Sequence, residues 1–293
     1  MTGDLMRAAI AAQPDWLRRV PFDRRLPMGR VVHVGCGTSF HAAQAGAIAG
    51  GFAVQALEAV LAPPDADAMV LVSHEGETPL TLEAAQAFDG PKWLLTGKAD
   101  GPIAAVCDEV VVCAPEIEQS WCHTASYTAA VATLRALHGE DISSLPARVE
   151  AELTAAGLPV STHERWLVAG AGRDWPTAQE AVLKLREGVF VAAEAYETEQ
   201  LLHGHLAGID ERVRCFVLQG VGRAAERAAD AVAALEAIGC DVTLVATEHP
   251  VVDIVRFQRL TLDLATARGV DPDRIRRDDE RWQRAAAAHG SSS

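Results

Sequence analysis

The chain has 293 residues, 49% hydrophobic and 23% charged, the balance of a folded globular protein long enough for two domains of ordinary size. A formal net charge of −14, with no cluster of Lys and Arg threaded with aromatics, excludes a nucleic-acid backbone as partner. Charges run throughout Met1 to Arg30 and no uncharged apolar run reaches the ~18 residues of a membrane span, so no membrane partner is expected and the expected location is the cytoplasm. Six cysteines lack any C-x-x-C spacing, and Cys113 and Cys215 sit inside apolar runs; buried free thiols are expected.

Short apolar runs bounded by glycine or polar turns alternate with alanine-rich helical stretches, the signature of a parallel sheet covered by helices on both faces. After a helical segment at 1–29, strands are predicted near 30–35, 53–57, 68–73, 92–96 and 109–113 in a first domain spanning 30–140. A polar, proline-containing linker at 141–162 follows. The second domain, 163–270, has strands near 165–170, 190–194, 213–219 and 241–246, with helices near 175–188, 197–202, 222–238 and 256–268. Val31 to Gly37 and Trp166 to Gly172 echo one another, each a strand ending in glycines before a helix, so the fold class read here is α/β with two tandem doubly wound parallel sheets. The tail, 271–293, is expected as coil or short helix, with Gly290 to Ser293 disordered.

Two loops leave the first sheet through small polar residues. Gly35-Cys36-Gly37-Thr38-Ser39 offers backbone N–H groups, two hydroxyls and a helix N-terminus to an anion. A plain tight turn needing glycine, and a dinucleotide fingerprint with Glu58 some twenty residues on, are the rivals; the fingerprint's third glycine is Phe40 here, and no cofactor is expected. Ser73-His74-Glu75-Gly76-Glu77-Thr78 enters the next helix, where Ser73 or Thr78 could simply cap it. Loops at the carboxyl ends of neighbouring parallel strands converge on one pocket.

The richest segment is Ala178 to Glu187, followed by Ala193-Glu194-Ala195-Tyr196 and Glu199 to Gly204. Glu180, Lys184 and Glu187 share one helical stripe, with Ala178, Val182, Leu185 and Val189 on the opposite side. Pattern alone favours a solvated face, where the Glu-to-Lys pair would contribute ~0.3 kcal/mol. The other reading uses the same carboxylates, ammonium and imidazole to open a sugar ring and move a proton between adjacent carbons.

Taken together, Gly35 to Ser39, Ser73 to Thr78, Glu180 to Glu187, Ala193 to Tyr196 and Gln200 to Gly204 are ordered partial matches over nearly the whole chain, which resembles the double sugar isomerase (SIS) domain proteins, among them the isomerase half of glutamine:fructose-6-phosphate amidotransferase and stand-alone phosphosugar isomerases and deaminases. The resemblance implies a homodimer and a small sugar or sugar phosphate as ligand. It implies Glu187 as the base that shuttles a proton between C1 and C2, Glu180 and Lys184 as its neighbours, and His203 as the ring-opening group, reaching the other subunit's site. It also implies a binding wall from Gly37, Thr38, Ser39, Ser73, His74, Glu75, Thr78, Trp121 and His123.

Departures from the family pattern bear on the substrate. Glu75 stands where the phosphate loop carries serine, and a carboxylate ~4 Å from a phosphate oxygen costs about 4 kcal/mol per unit charge at an effective dielectric of 20. Trp121 and His123 replace valine and serine in the Glu118 to Thr124 segment; Gln200, Leu202 and His205 replace glutamate, lysine and proline; Asp278 falls near the family's tail lysine. No N-terminal cysteine nucleophile or glutaminase domain is expected, so an aminotransferase would draw ammonia from solution or a partner. The expected activity is therefore that of a phosphosugar isomerase or an amino sugar phosphate isomerase or deaminase. The alternatives are a non-catalytic carbohydrate sensor and an ammonia-dependent aminotransferase. Neither His203-Gly204-His205 nor Cys122-His123 has the four-ligand spacing of a closed zinc site, and no metal is expected. His33 and His41 read as satisfied structural histidines, with His74 the better pocket residue.

Overall fold

The computed structural model describes residues 2–21 and 23–289; the expectation for Gly290 to Ser293 lies outside them. Helix α1, Asp4–Leu17, precedes Val31–Gly35 (β1), Thr38–Ala47 (α2), Phe52–Gln55 (β2), Ala56–Leu61 (α3), Ala68–Val72 (β3), Pro79–Ala87 (α4), Lys92–Thr96 (β4) and Glu109–Val112 (β5). Two helices follow, Ala125–Leu137 (α5) and Leu145–Thr154 (α6). The second half contains Arg165–Gly170 (β6), Trp175–Val189 (α7), Ala192–Glu197 (β7), Thr198–Leu202 (α8), Val213–Leu218 (β8), Arg223–Ile238 (α9), Asp241–Val245 (β9), Pro250–Arg268 (α10) and Glu280–Ala288 (α11).

Among the described residues the nine strands form two all-parallel sheets in the orders β2-β1-β3-β4-β5 and β7-β6-β8-β9. In the first, Val32 of β1 pairs with Phe52 on one side and Met69 on the other, so the strand order reverses between β1 and β3. That switch point is where an open α/β sheet leaves a crevice beyond its strand ends. β1 and β3 are buried along their whole length, because helices cover both faces of a parallel sheet.

One apolar core joins the two halves: Val31, Val70 and Leu95 from the first sheet, Val168 and Phe216 from the second, and Leu134, Leu185 and Phe257 from the helices between. Helix α7 lies at the centre of this seam, packed on β6 and β7 of its own half, on α10, and on α2 of the first half. Helix α6, inside the stretch expected to connect the halves, packs against α1 and α10. Helix α10 begins six residues earlier than its apolar pattern suggests. Pro250 occupies the first helical turn, where its missing N–H is not needed, and His249 Nδ1 accepts from the Val251 N–H at 3.2 Å. Strand β7 starts two residues later than predicted and carries Ala193 to Tyr196 within it. Among the described residues no helix is long and apolar enough to cross a membrane.

Candidate active site

The first glycine-rich loop is shaped by two steric demands. A Cβ on Gly35 would lie 2.7 Å from the Ser39 carbonyl carbon, and Gly37 sits at φ 54°, ψ −131°, open to side chains only at a steric cost. The turn they permit drops Thr38 into the first position of α2, where its side chain faces α7.

Facing α2, the charged stripe of α7 is not solvated. Glu180 and Lys184 are fully buried, and Glu187 is 24% exposed. The surface-helix reading of the stripe is corrected here. Its physical reason is the partner surface: Thr38 Oγ1 donates to Glu180 Oε1 at 3.2 Å, His41 Nδ1 lies 2.7 Å from Glu180 Oε2, and Lys184 Nζ donates to Thr38 Oγ1 at 3.2 Å. Lys184 Nζ also lies 2.7 Å from Glu187 Oε2 and 3.3 Å from Glu180 Oε1. A charge stripe can be buried when every member is paired, and removing one partner of such a set leaves an uncompensated buried charge.

The network sorts the carboxylates by role. Burial raises Glu180, but Lys184 and His41 outweigh it and hold the group below the usual carboxylate range, so it stays ionised. Burial also raises Glu187, and there it prevails over the opposing pull of Lys184, leaving that carboxylate above its ordinary value. Burial lowers Lys184, yet Glu180 and Glu187 together keep it well above its ordinary value and positively charged. Two carboxyls on one helix face, one held below and one raised above the ordinary carboxylate range, are the elements of an acid/base site.

Glu187 opens onto a cavity of about 470 Å³ at the β1/β3 switch point. It is lined by Cys36, Thr38 and Ser39 from the first loop and by Ser73, His74, Glu75, Glu77 and Thr78 from the second. Trp121 and His123 complete it with Ile275 and Arg277 of the tail. Of the residues expected to meet the ligand, all but Gly37 line the cavity, and Gly37 shapes the turn that does. Thr38 is committed to Glu180 and Lys184, while the Ser73 and Thr78 hydroxyls bond one another at 3.1 Å. His74 and His123 face each other with ring centroids 4.6 Å apart. Burial lowers both imidazoles, His123 furthest, so they act as neutral donors and acceptors.

Behind this wall Glu118 is buried at the start of α5, where one carboxylate accepts from the backbone N–H groups of Thr124, Ala125 and Ser126 and from the hydroxyls of Thr124 and Ser126. This set of bonds ties Glu118 to the first turn of α5, closing the segment that carries Trp121 and His123. The tail is pinned in turn by Asp273, whose carboxylate accepts from the Leu5 and Met6 N–H groups at the start of α1 at 3.0 and 2.7 Å, while its carbonyl accepts from the Trp121 N–H at 3.0 Å. Beyond that anchor Ile275 and Arg276 take positive φ values of 41° and 62°, a costly geometry for a β-branched residue. The Arg276 guanidinium, lying over the rings of Phe190 and Trp282, clamps the turn. Arg277 is thereby turned inward, its guanidinium carbon 3.5 Å from the Trp121 ring centroid, while Asp278 pairs with Arg274.

His203 is not in this cavity. It follows α8, is 73% exposed and pairs with Glu199 at 2.8 Å. His41, read from the sequence as a structural histidine, bonds Glu180, and Cys36, Glu77, Ile275 and Arg277 line the cavity without having been singled out from the sequence. His41 had a usable signal, since it lies three residues after Thr38 and so shares its helix face; Arg277 had none, because its direction depends on the turn at Ile275 and Arg276.

No family model matches the chain. Among curated proteins it is similar to the isomerizing glutamine–fructose-6-phosphate aminotransferase of Gloeobacter violaceus, 24% identical over 311 residues that cover 84% of this chain and 50% of that one. The chain thus spans about half the length of the curated relatives it matches. Its fold matches the C-terminal domain of glucosamine-fructose-6-phosphate aminotransferase from Francisella tularensis (TM-score 0.76, 18% identity, 92% of this chain and 97% of that). It also matches glucosamine-6-phosphate deaminase from Thermotoga maritima (0.76, 18%, 92% and 97%) and tagatose-6-phosphate ketose/aldose isomerase from Escherichia coli (0.78, 17%, 93% and 95%). The fold is that of the SIS phosphosugar isomerases. In sequence the chain is homologous to the isomerase part of the glutamine–fructose-6-phosphate aminotransferases.

Proposed function

We propose that this protein is an aldose-ketose isomerase or deaminase that moves a proton between C1 and C2 of a sugar derivative bound at the β1/β3 switch point. The observation that carries the reading is Glu187, a carboxylate on the cavity wall whose affinity for protons is raised by burial although Lys184 is bonded to it. A general base works best when its pKa lies near the working pH. Glu187 takes the proton from one carbon and returns it to its neighbour; Lys184 gains attraction when Glu187 is ionised and so steadies the state in which the base is free. Glu180, fixed as an anion, holds Lys184, His41 and Thr38 in register.

In this reading residues 30–140 and 163–270 are two SIS units of a cytoplasmic homodimer, and the His203 imidazole of a second copy enters the cavity to open the sugar ring. The test is solvent deuterium incorporation at C1 and C2: Glu187→Gln should abolish it while ligand binding persists. A second reading, a sugar-binding module without turnover, is favoured by the placement of His203 outside the cavity of its own chain. It predicts binding with no exchange in the unaltered protein.

A further inference from the structure

The tail directs a cation into the cavity and leaves it unpaired. Among the described residues that line the cavity Arg277 carries the one permanent positive charge, and its side chain makes no hydrogen bond or ion pair with any described residue. The carboxylates around it are engaged by other cations: Asp278 pairs with Arg274, Asp279 with Arg281, Glu77 with Lys98 and Glu187 with Lys184. Glu75 shares the lining, also without an ion pair to any described residue. Burial lowers the proton affinity of Arg277, as expected for a cation that has lost water and gained no close counter-ion. The face of Trp121, its ring centroid 3.5 Å from the guanidinium carbon, covers one side of the group and steadies it, while the N–H edge stays open to a ligand. The turn that aims Arg277 inward is itself strained at Ile275 and Arg276, and strain of that kind collects where the backbone serves a ligand.

We propose that Arg277 is the phosphate-binding residue of this site, its guanidinium holding the phosphate ester of the sugar in a bidentate pair while the same molecule presents C1 and C2 to Glu187. The inference rests on the reading of the cavity as a sugar site and names a phosphorylated sugar as the class bound. A planar guanidinium matches two phosphate oxygens with two parallel N–H donors, and hydrogen bonds between charged groups are about twice as strong as neutral ones. The third oxygen has donors left to it. Ser39 makes no side-chain hydrogen bond to a described residue, and because Ser73 and Thr78 bond one another, one hydrogen of that pair remains free. Helices α2 and α4 both start at these loops with no side-chain cap on their first turns, and the N–H groups of such starts favour an anion. The charge of Glu75, expected from the sequence to disfavour phosphate, is opposed in the same cavity by one of equal size and opposite sign. Attraction falls with distance, so a guanidinium in contact with the phosphate gains more than a carboxylate held farther off takes away.

The experiment is titration calorimetry with two matched pairs, fructose 6-phosphate against fructose and glucosamine 6-phosphate against glucosamine. The unaltered protein should bind at least one phosphate ester about tenfold or more tightly than its unphosphorylated partner. Arg277→Gln should weaken that ester by about tenfold or more and leave the unphosphorylated sugar unchanged, which also reports that the variant is folded. Arg277→Lys, which keeps the charge and loses the fork, should fall between the two. Amide hydrogen exchange supplies a second readout: the ester, and not the plain sugar, should slow exchange in residues 274–281 of the unaltered protein and fail to do so in Arg277→Gln. A phosphate preference under about threefold in the unaltered protein, or an Arg277→Gln variant that binds the ester as before or loses ester and plain sugar equally, overturns the inference. Solvent deuterium exchange keeps the two readings apart. Exchange on a phosphate ester that depends on Glu187, with ester affinity untouched in Arg277→Gln, sinks the Arg277 assignment alone; an Arg277-dependent preference for the ester, with no exchange on any ligand, sinks the enolising reading alone.

Discussion

Lys184 Nζ donates to Glu187 Oε2 at 2.7 Å, and the ammonium is fully buried while the carboxylate is 24% exposed to the cavity. The pair is therefore asymmetric: one end is sealed in the seam between the two halves and the other faces the ligand. Burial and attraction act in opposite senses on Glu187, and burial prevails.

Removing the cation should make that asymmetry visible. In Lys184→Met the acid limb of the pH-rate profile for solvent exchange should move to higher pH, since the force opposing the rise of Glu187 is gone. The fold should also lose roughly 3–5 kcal/mol, the cost of leaving buried carboxylates unpaired. Urea denaturation and a pH profile are the measurements; an unmoved acid limb would show that Lys184 does not set the protonation of Glu187.

The linkage sign differs between the two carboxylates. Glu180, held below its ordinary value, contributes stability that is present above the usual carboxylate range and is lost as the pH falls through its folded value. Glu187, raised in the folded state, binds its proton more tightly there, so its contribution is present at low pH and declines as the pH rises through the folded value. Glu180→Gln should accordingly flatten the acid-side loss of stability, and Glu187→Gln should remove a decline on the neutral side. Denaturation midpoints across pH 3–8 would show whether the two slopes respond in opposite senses.

Glu118 is a purely structural support for the cavity wall. Glu118→Ala should cost roughly 3–5 kcal/mol, because three backbone N–H groups and two hydroxyls lose a buried charged acceptor. A loss below about 1 kcal/mol would mean that water or another group satisfies those donors.

The tail depends on Asp273. Asp273→Ala removes the cap on the first turn of α1, which should cost about 1 kcal/mol, and should free residues 274–289 to exchange amide hydrogens faster than in the unaltered chain. Hydrogen-exchange mass spectrometry reads this directly. Protection that persists would place the anchor elsewhere, with the Arg276 clamp on Phe190 and Trp282 the next element to alter.

His203 can be tested by mixing. If it serves the cavity of a second copy, Glu187→Gln and His203→Asn chains are each inactive alone, yet random dimers should regain about a quarter of the activity, because each mixed dimer restores one complete site. No recovery on mixing would remove His203 from the ring-opening role.

The two sheets were legible in the sequence because fully buried parallel strands read as short runs of Val and Leu, such as Val31 to Val34 and Met69 to Val72. The loop residues were legible for a related reason, since Gly35 to Ser39 and Ser73 to Thr78 follow those runs directly. The burial of Glu180 and Lys184 was not, because periodicity reports that a helix has a charged stripe and says nothing of Thr38 and His41 on α2, some 140 residues away, waiting to pair with it. Arg277 was hidden for the same kind of reason: Asp273 pins the tail to α1 across the length of the chain, and only that contact gives the following turn its direction.

Proton transfer between C1 and C2 depends on Glu187 as the enolising base. The direct measurement is proton NMR in D₂O of the protein with fructose 6-phosphate, glucosamine 6-phosphate and their unphosphorylated counterparts, following the C1 and C2 positions. Solvent deuterium should appear at those carbons in at least one of these sugars and vanish in Glu187→Gln with binding retained; exchange that continues in Glu187→Gln, or binding with no exchange in the unaltered protein, would contradict it.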